Sequence, residues 1–239
     1  LNIPFIIYEN NLFLGKSNKY LLPLASKIFL AYKDVEGIKQ KFRSKVVIIG
    51  NIIREEILHF SNKKKHQTGE LNILILGGSQ AAQSFGVFLP KIFKQCVEAK
   101  IKINIIQQCT ANQNDILEKF YKNLKINYEL FNFTDNIFEY FSRVELVITR
   151  SGSSVTAELI NCKIPFISIP FPYSADSHQD KNAVYFEKKG YSFLIKENEV
   201  YEKLFPLIKL IYSDKKILTK LIEEQKKHSD EGVFIKINN

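Results

Sequence analysis

The sequence contains no methionine. No initiator residue is therefore present, and the chain opens two residues before an apolar, strand-like run. The expectation is a segment from inside a longer protein. No apolar run approaches the ~18–20 residues that a membrane-spanning helix needs. The opening LNIPFIIYENN has neither the basic flank nor the cleavage site of a secretory signal peptide. Cysteine is scarce: Cys96, Cys109 and Cys162 are odd in number and widely spaced. That excludes a disulfide framework and a thiolate metal site, and leaves reduced thiols packed as small hydrophobes. The four histidines, His59, His66, His178 and His228, form no metal-ligand spacing either. A recognisable nucleic-acid reader motif is missing, so no nucleic-acid partner is expected despite a net charge of +9.

What is there is a chain of 239 residues, 45% hydrophobic and 25% charged, with room for one large domain or two smaller ones. The basic balance favours acidic partners such as phosphorylated small molecules or an anionic membrane surface. The lysines are spread along the chain, and the tight cluster Lys63-Lys64-Lys65 sits in a polar, linker-like stretch.

Short β-rich runs alternate with longer helical patterns. Strands are predicted over Pro4–Tyr8, Lys27–Tyr32, Lys45–Ile49, Asn72–Leu76, Ile103–Gln107, Asn127–Phe131, Leu146–Thr149, Phe166–Ile169 and Tyr191–Ile195. Several are continuous Ile/Val/Leu/Phe runs, as in strands buried on both faces of a parallel sheet. Helices are predicted over Ser17–Leu24, Ser84–Ala99, Ile116–Leu124, Val155–Lys163, Gln179–Lys189, Val200–Tyr212 and Lys215–Lys227, with Gly190 placed as a C-terminal cap. The fold class is α/β. Residues 1–54 read as the tail of an earlier domain, 55–70 as a linker, and 71–239 as a complete α/β domain whose last helix could pack back on the first.

In a parallel sheet with right-handed crossovers, every strand-to-helix turn lies at one carboxyl edge. Three unusual turns share that edge: GGSQAA (Gly77–Ala82), RSGSSVTAE (Arg150–Glu158) and PYSADSHQDKN (Pro172–Asn182). A helix starting just after RSGSS aims free N–H groups and its positive dipole end there. Glycine permits close approach and the hydroxyls add donors. Two such turns, one beside Arg150, can flank a diphosphate. Glu158 is not half of a capping box, because Val155 occupies the Ser/Thr position. A carboxylate one turn into such a helix can accept from a ribose diol. A dinucleotide enzyme is disfavoured: GGSQAA is not GxGxxG, and the strand ending Gln107-Gln108-Cys109 supplies no acid for an adenosine ribose. Gln179, in HQDKN, is either a solvated helix-start residue or a contact for sugar hydroxyls. Glu9, Asn10 and Asn11 lie at the carboxyl end of the first strand. Arg54 lies at the domain junction, where diphosphate binding competes with an ordinary carboxylate pair.

Taken in order, PFIIYENNLFLGKSNKYL, GNIIR, LILGGSQAA, VITRSGSSVTAELI, PFISIPFP and DSHQDKNA resemble the MurG family of bacterial glycosyltransferases. Those enzymes move N-acetylglucosamine from UDP-N-acetylglucosamine onto lipid I, making lipid II for peptidoglycan. The resemblance runs from residue 1 to about Ile195 and more weakly beyond. It implies a GT-B fold of two Rossmann-like domains, the first incomplete here, with the donor held mainly by the second. It implies an acceptor-side role for Asn11 and diphosphate contacts from Arg54 and Ser79. Thr134 falls where a backbone group reads uracil. Ser153, Ser154, Val155, Thr156 and Ala157 cover the phosphate turn, Glu158 the ribose and Gln179 the sugar. No cofactor and no metal are implied. The implied partners are UDP-N-acetylglucosamine, lipid I and an anionic membrane surface, and the implied location is peripheral, on the cytoplasmic face of the bacterial inner membrane.

The departures are specific. The family's glycine-rich, histidine-containing loop does not occur in these 239 residues. Its His-Glu-Gln-Asn reads Tyr8-Glu9-Asn10-Asn11, the third glycine of its GGSQGA reads Ala81, and its Ala-Leu-Thr-Val-Ser-Glu reads SSVTAE. Donor binding survives these changes more easily than catalysis, and Glu9 is left as a weak candidate base. Two other readings stay open: a UDP-N-acetylglucosamine 2-epimerase-like enzyme, and a non-catalytic relic that binds nucleotide.

Overall fold

The computed structural model describes residues 3–58, 60 and 69–238, without the side chains of residues 58, 78–82 and 175. His59, His66 and the cluster Lys63–Lys65 lie outside the described residues. The chain folds around two parallel sheets. The first holds β1 (Ile6–Glu9), β2 (Lys27–Leu30) and β3 (Val46–Ile48) in that order, with α1 (Lys16–Leu21) between the first two. A short helix, α2 (Glu55–Leu58), leads out of it.

The second part runs β4 (Leu71–Leu76), α3 (Gly78–Glu98), β5 (Ile103–Gln108), α4 (Asn114–Leu124), β6 (Asn127–Phe131), α5 (Ile137–Phe141), β7 (Leu146–Thr149) and α6 (Ser153–Asn161). It continues through β8 (Phe166–Ser168), α7 (His178–Lys188), β9 (Ser192–Leu194), α8 (Val200–Ser213), α9 (Lys216–Lys226) and α10 (Val233–Asn238). The six strands pair in parallel in the order β6-β5-β4-β7-β8-β9. The order reverses between β4 and β7, as in doubly wound dinucleotide-type folds.

Alternation along the strands builds two faces. Ile73, Ile75, Ile105 and Ile148 point to the layer containing Phe85, Leu89, Ile92 and Phe93 of α3. Leu74, Leu76 and Val147 point the other way, to Leu159 and Ile160 of α6 and Phe186 of α7. Every residue of β4, β7 and β8 is buried, which accounts for their apolar or small composition, broken only by Asn72, whose Oδ1 accepts from Asn104 Nδ2. The thiols pack inside as expected, and burial pushes Cys96 and Cys162 up to about 12.

Each of the nine predicted strands is present, with ends shifted by a residue or two. Helix α3 starts at Gly78, six residues before the predicted Ser84, so GGSQAA is the helix's own first turns rather than a loop ahead of it. Its alanines are strong helix formers, and the glycine pair outweighed them in the reading by composition. Helices α2, α5 and α10 escaped prediction because they span 4, 5 and 6 residues, too short to show a 3.6-residue period.

The lobes are joined by one continuous apolar cluster. Ile7, Ile28 and Leu30 of the first sheet and Leu14 of the β1–α1 loop continue through Ile53 and Ile57 to Leu74, Val147 and Phe166 of the second. Tyr32 meets Tyr185 and Phe186 edge-on at 5.4 and 6.0 Å. From α10, Val233 packs on Phe29 and Ile49. A polar clamp sits just before it. Asp230, 3% exposed, accepts from the Asn51 amide at 2.9 Å, from Asn51 Nδ2 at 3.2 Å and from Asn161 Nδ2 at 2.7 Å. Its Oδ2 also lies 2.9 Å from His228 Nε2. Burial alone would raise the Asp230 carboxyl, but His228 and these donors outweigh it and hold it below the ordinary aspartate range. Gly50 has φ +102, and a Cβ there would meet Asp230 Oδ1 at 2.7 Å and Val233 Cγ2 at 3.0 Å.

Asp230→Ala is expected to destabilise the chain by about 2–4 kcal/mol in urea unfolding, since it leaves several buried donors unpaired. The depressed carboxyl contributes its full stability above the unfolded aspartate value of about 3.9 and loses it as pH falls through the lower folded value. Wild type should therefore weaken below about pH 4 by a component that Asp230→Ala lacks.

Candidate functional site

Strands β4 and β7 are neighbours, yet α3 and α6 leave them for opposite faces. This opens a crevice at their carboxyl ends. Both helix starts face it without a side-chain cap: Gly77 precedes α3 and Gly152 precedes α6. The first backbone bond of α6 runs from the Thr156 amide to the Gly152 carbonyl at 3.1 Å. The amides of Ser153, Ser154 and Val155 are thus the N-terminal donors that a helix cannot satisfy itself.

A cavity of about 480 Å³ occupies this crevice. Gly77, Gly152 and Val155 form its floor, and Thr149 and Arg150 its β7 side. Gln108, Phe131, Phe133, Thr134 and Ile137 form one wall, Phe171 and Gln179 another, and Arg54 and Glu158 a third. Five residues singled out in the sequence, Arg54, Thr134, Val155, Glu158 and Gln179, therefore line one space.

Arg54 and Glu158, 104 residues apart, form a two-pronged pair across the lobe boundary. Nε donates to Oε1 at 3.1 Å and Nη2 to Oε2 at 3.0 Å. The guanidinium also lies 4.7 Å from the centre of the Phe138 ring in α5. Burial raises the Glu158 carboxyl; Arg54 opposes that shift without cancelling it. Thr134 accepts from the Asn136 amide at 3.1 Å, shaping the loop after β6. The Phe171 amide donates to Gln179 Oε1 at 2.9 Å, which fixes that side chain at the wall. Ahead of it, Asp176 and Ser177 both sit at left-handed φ, 51° and 52°, so the turn that delivers α7 is held against its backbone preference.

Other expectations resolve differently. Thr156 is buried, and its hydroxyl donates back to the Gly152 and Ser153 carbonyls at 2.8 and 3.1 Å, not toward the cavity. Ala157 packs in the core, while Ser153 and Ser154 remain accessible at the helix start. The Ser79 side chain lies outside the described residues. Arg150, read as a grip beside the phosphate turn, is 5% exposed and already engaged. It donates to the carbonyls of Ile169 and Pro170 at 3.0 and 3.2 Å and to Ser84 Oγ at 2.6 Å, and it pairs with Glu197. Its charge is committed to holding the turn at the edge of the cavity.

Asn11 does not line the cavity. Its amide and its Nδ2 both donate to Glu9 Oε1, at 3.1 and 3.0 Å. Glu9 is 3% exposed, and its other oxygen accepts from the Gly15 amide and from Asn18 Nδ2 at 2.9 Å each. These bonds organise the β1–α1 loop and leave Glu9 little freedom to act as a base. Phe133 went unnoticed in the sequence: it lines the cavity and is 77% exposed, a flat apolar face at the mouth. Its setting in FNFTDN, beside Thr134, was the available signal. Among the described residues no group of histidine, cysteine, aspartate and glutamate could hold a metal ion.

Fold and site together define a two-lobed α/β protein of the GT-B class, with a crevice at the switch point of its second sheet where two uncapped helix starts meet. Residues 72–233 match the model of the glycosyltransferase family 28 C-terminal domain. The UDP-N-acetylglucosamine–N-acetylmuramyl-(pentapeptide) pyrophosphoryl-undecaprenol N-acetylglucosamine transferase of Pelagibacter ubique (strain HTCC1062) is 33% identical over 224 residues, 92% of this chain and 62% of the relative. The transferase of the same name from Rickettsia felis (strain ATCC VR-1525 / URRWXCal2) is 33% identical over 242 residues, covering 97% of this chain and 67% of the relative. The crystal structure of Acinetobacter baumannii MurG superposes with a TM-score of 0.79 at 22% identity, over 99% of this chain and 67% of that one, and shows the shared fold. The chain belongs to glycosyltransferase family 28 and, within it, to the MurG transferases. It spans 62–67% of the length of these relatives.

Removing the guanidinium leaves burial unopposed, so Arg54→Ala should push the Glu158 carboxyl still higher, as read by carbon-detected NMR titration. A carboxyl raised by folding contributes stability that is complete below the unfolded glutamate value of about 4.3 and lost as pH rises through the folded value. The Arg54→Ala chain should accordingly lose more stability than wild type between about pH 4 and 7.

Proposed function

We propose that this chain supplies the donor-binding part of an inverting transferase. The reaction moves N-acetylglucosamine from UDP-N-acetylglucosamine to lipid I, forming lipid II for peptidoglycan. The observation that carries the reading is the crevice in which two uncapped helix starts, Arg54, Glu158, Thr134 and Gln179 meet. The relatives' names supply the substrates.

The diphosphate sits over Gly77, Gly152 and the α6 amides, where backbone donors and the helix dipole favour negative charge. Glu158 accepts from the ribose diol, and the backbone at Thr134 reads uracil, with Phe133 offering its ring to the base. Gln179 marks the sugar end. The acceptor hydroxyl attacks the anomeric carbon and releases its proton, the bond to the diphosphate oxygen breaks, and UDP leaves. The charge developing on that oxygen is stabilised by the helix starts and by Arg54, which needs no metal in this arrangement. Arg54 reaches the diphosphate by giving up its bond to Glu158, which in turn frees that carboxylate for the ribose.

The lipid acceptor brings the chain to a membrane surface. Among the described residues no helix is long and apolar enough to cross a membrane. Residues 1–54 carry nine Lys/Arg against three Asp/Glu, a net of +6 out of the chain's +9. That lobe is therefore the one attracted to anionic lipid, peripherally and on the cytoplasmic face.

Titration calorimetry should show binding of UDP in preference to CDP and NAD. Glu158→Ala should weaken UDP about tenfold or more through the lost diol bonds, and leave inorganic pyrophosphate nearly unchanged; equal loss of both removes the ribose role. Gln179→Ala should cost UDP-N-acetylglucosamine more than UDP, and identical losses rule out a sugar contact. An epimerase would convert the donor sugar with no acceptor present, so appearance of the 2-epimer in that incubation would replace the transferase reading.

A further inference from the structure

A second cavity, of about 300 Å³, lies on the lobe boundary and has no role in the reading above. The small lobe lines it with Leu12 of the β1–α1 loop and with Asp34 and Glu36 of the segment after β2. Helix α7 lines it with Asp180, Lys181, Val184, Tyr185 and Lys188. Residues 181, 184, 185 and 188 follow the i, i+3, i+4, i+7 spacing and so form one face of the helix. At about 100° per residue, that face turns away from Gln179, which lines the crevice. The first turn of α7 therefore stands between the two spaces.

The frame of this cavity is firm. The Glu36 amide donates to the Leu12 carbonyl at 2.9 Å and the Leu14 amide to the Glu36 carbonyl at 3.0 Å. Burial, with the Asp34 charge next, pushes the Tyr185 hydroxyl up to about 12, so it stays a neutral donor to Asp34 at neutral pH. The polarity of the walls is divided. Both charges of the small-lobe wall, Asp34 and Glu36, are negative, whereas α7 sets Lys181 and Lys188 against Asp180. The Lys181 ammonium lies 3.2 Å from the centre of the Phe13 ring, which holds it at the boundary. Leu12, Val184 and Tyr185 add apolar surface. A phosphate would meet Asp34 and Glu36 with like charge, and a lipid chain would strip water from charged groups without replacing it. A peptide that carries both an ammonium group and a carboxylate meets each wall with the opposite charge.

The names of the relatives place a pentapeptide on the muramyl sugar of the acceptor. An extended pentapeptide reaches about 16–18 Å, more than the width of a helix, about 10–12 Å. A peptide that leaves the acceptor sugar at the Gln179 end of the crevice can thus pass the first turn of α7 and enter the second cavity. We propose that this cavity is the acceptor's peptide subsite, with Asp34 and Glu36 facing an ammonium group and Lys181 and Lys188 facing a carboxylate. The inference rests on the transferase reading given above, and the test separates the two.

The test is NMR titration of the isotope-labelled chain with two N-acetylated alanine pentapeptides. One has a central lysine and a free C-terminal carboxylate. The other has norleucine at the centre and a C-terminal amide, and so carries no charge. The charged peptide should bind at least about tenfold more tightly, through two exposed ion pairs, and should shift the amides of residues 34–36 and 180–188. Glu36→Gln should weaken the charged peptide about threefold to fivefold, and Lys188→Gln by a similar factor, the size of one such pair. Both side chains are exposed, and neither substitution should move the affinity for the uncharged peptide or for UDP. Equal affinity of the two peptides, binding of neither, shifts confined to other regions, or no effect of either substitution overturns the peptide subsite, and UDP binding in the same samples leaves the donor site standing. A chain that binds the charged peptide in this cavity and fails to bind UDP keeps the subsite and overturns the donor reading.

Discussion

The constraint on which the rest depends is the divergence of two helices from adjacent parallel strands. Because α3 packs on one face of the sheet and α6 on the other, their starting turns cannot cover each other. Amides from both helix starts are left around one gap, and neither Gly77 nor Gly152 supplies a side-chain cap. A chain that leaves such donors open gains by binding an anion there. The six-stranded parallel order is what makes the gap, and the buried Ile/Leu/Val strands are what make the order.

Much of this was legible because it is periodic or local. Runs such as LNILIL and LVIT declare doubly buried strands, and a right-handed crossover rule puts their turns at one edge. From that alone Val155, Glu158 and Gln179 fall on a common rim. What the sequence did not disclose is long-range pairing. Arg54 was read as a charge at a domain junction and Glu158 as a carboxylate one turn behind a donor-rich helix start, but nothing local says that they clasp each other. Arg150 looked like the grip because it stands beside three serines. Its burial against Phe85 and its pairing with Glu197 depend on where α3 and the start of α8 come to rest. Thr156 was misjudged for a smaller reason: a helical threonine can bond its own preceding turn, and it does.

The polar residues that the chemistry does not use have a common task. Glu9, Asp230, Arg150 and Asn182 are buried and saturated or nearly so: Glu9 by bonds within the β1–α1 loop, the other three by bonds between segments distant in sequence. An apolar cluster runs across the lobe boundary, but apolar contact is non-directional and would tolerate sliding. Hydrogen bonds with fixed angles do not. Asp230 fixes the exit of β3 to the end of α6, and Asn182 fixes the β1–α1 loop to the start of the same helix. Two polar rivets at opposite ends of α6 thus define where the small lobe stands relative to the crevice.

That placement explains why the Arg54–Glu158 pair suits a binding site better than a structural bond. Arg54 keeps 43% of its side chain exposed, so the pair is worth no more than about 1 kcal/mol after solvent screening. Charge-assisted bonds from the same guanidinium to a diphosphate are worth about 1.5–3 kcal/mol each, and a carboxylate facing a diol gains comparable bonds in place of the one it gives up. Under the proposed donor reading, ligand entry exchanges one weak interaction for two stronger ones. The exchange needs no lobe movement, because Asp230 and Asn182 hold α6 while the long, flexible arginine swings. Before the ligand arrives, the pair keeps both charges in compensated surroundings. That matters most for Glu158, whose burial would otherwise favour the protonated form that cannot accept from the diol on both oxygens.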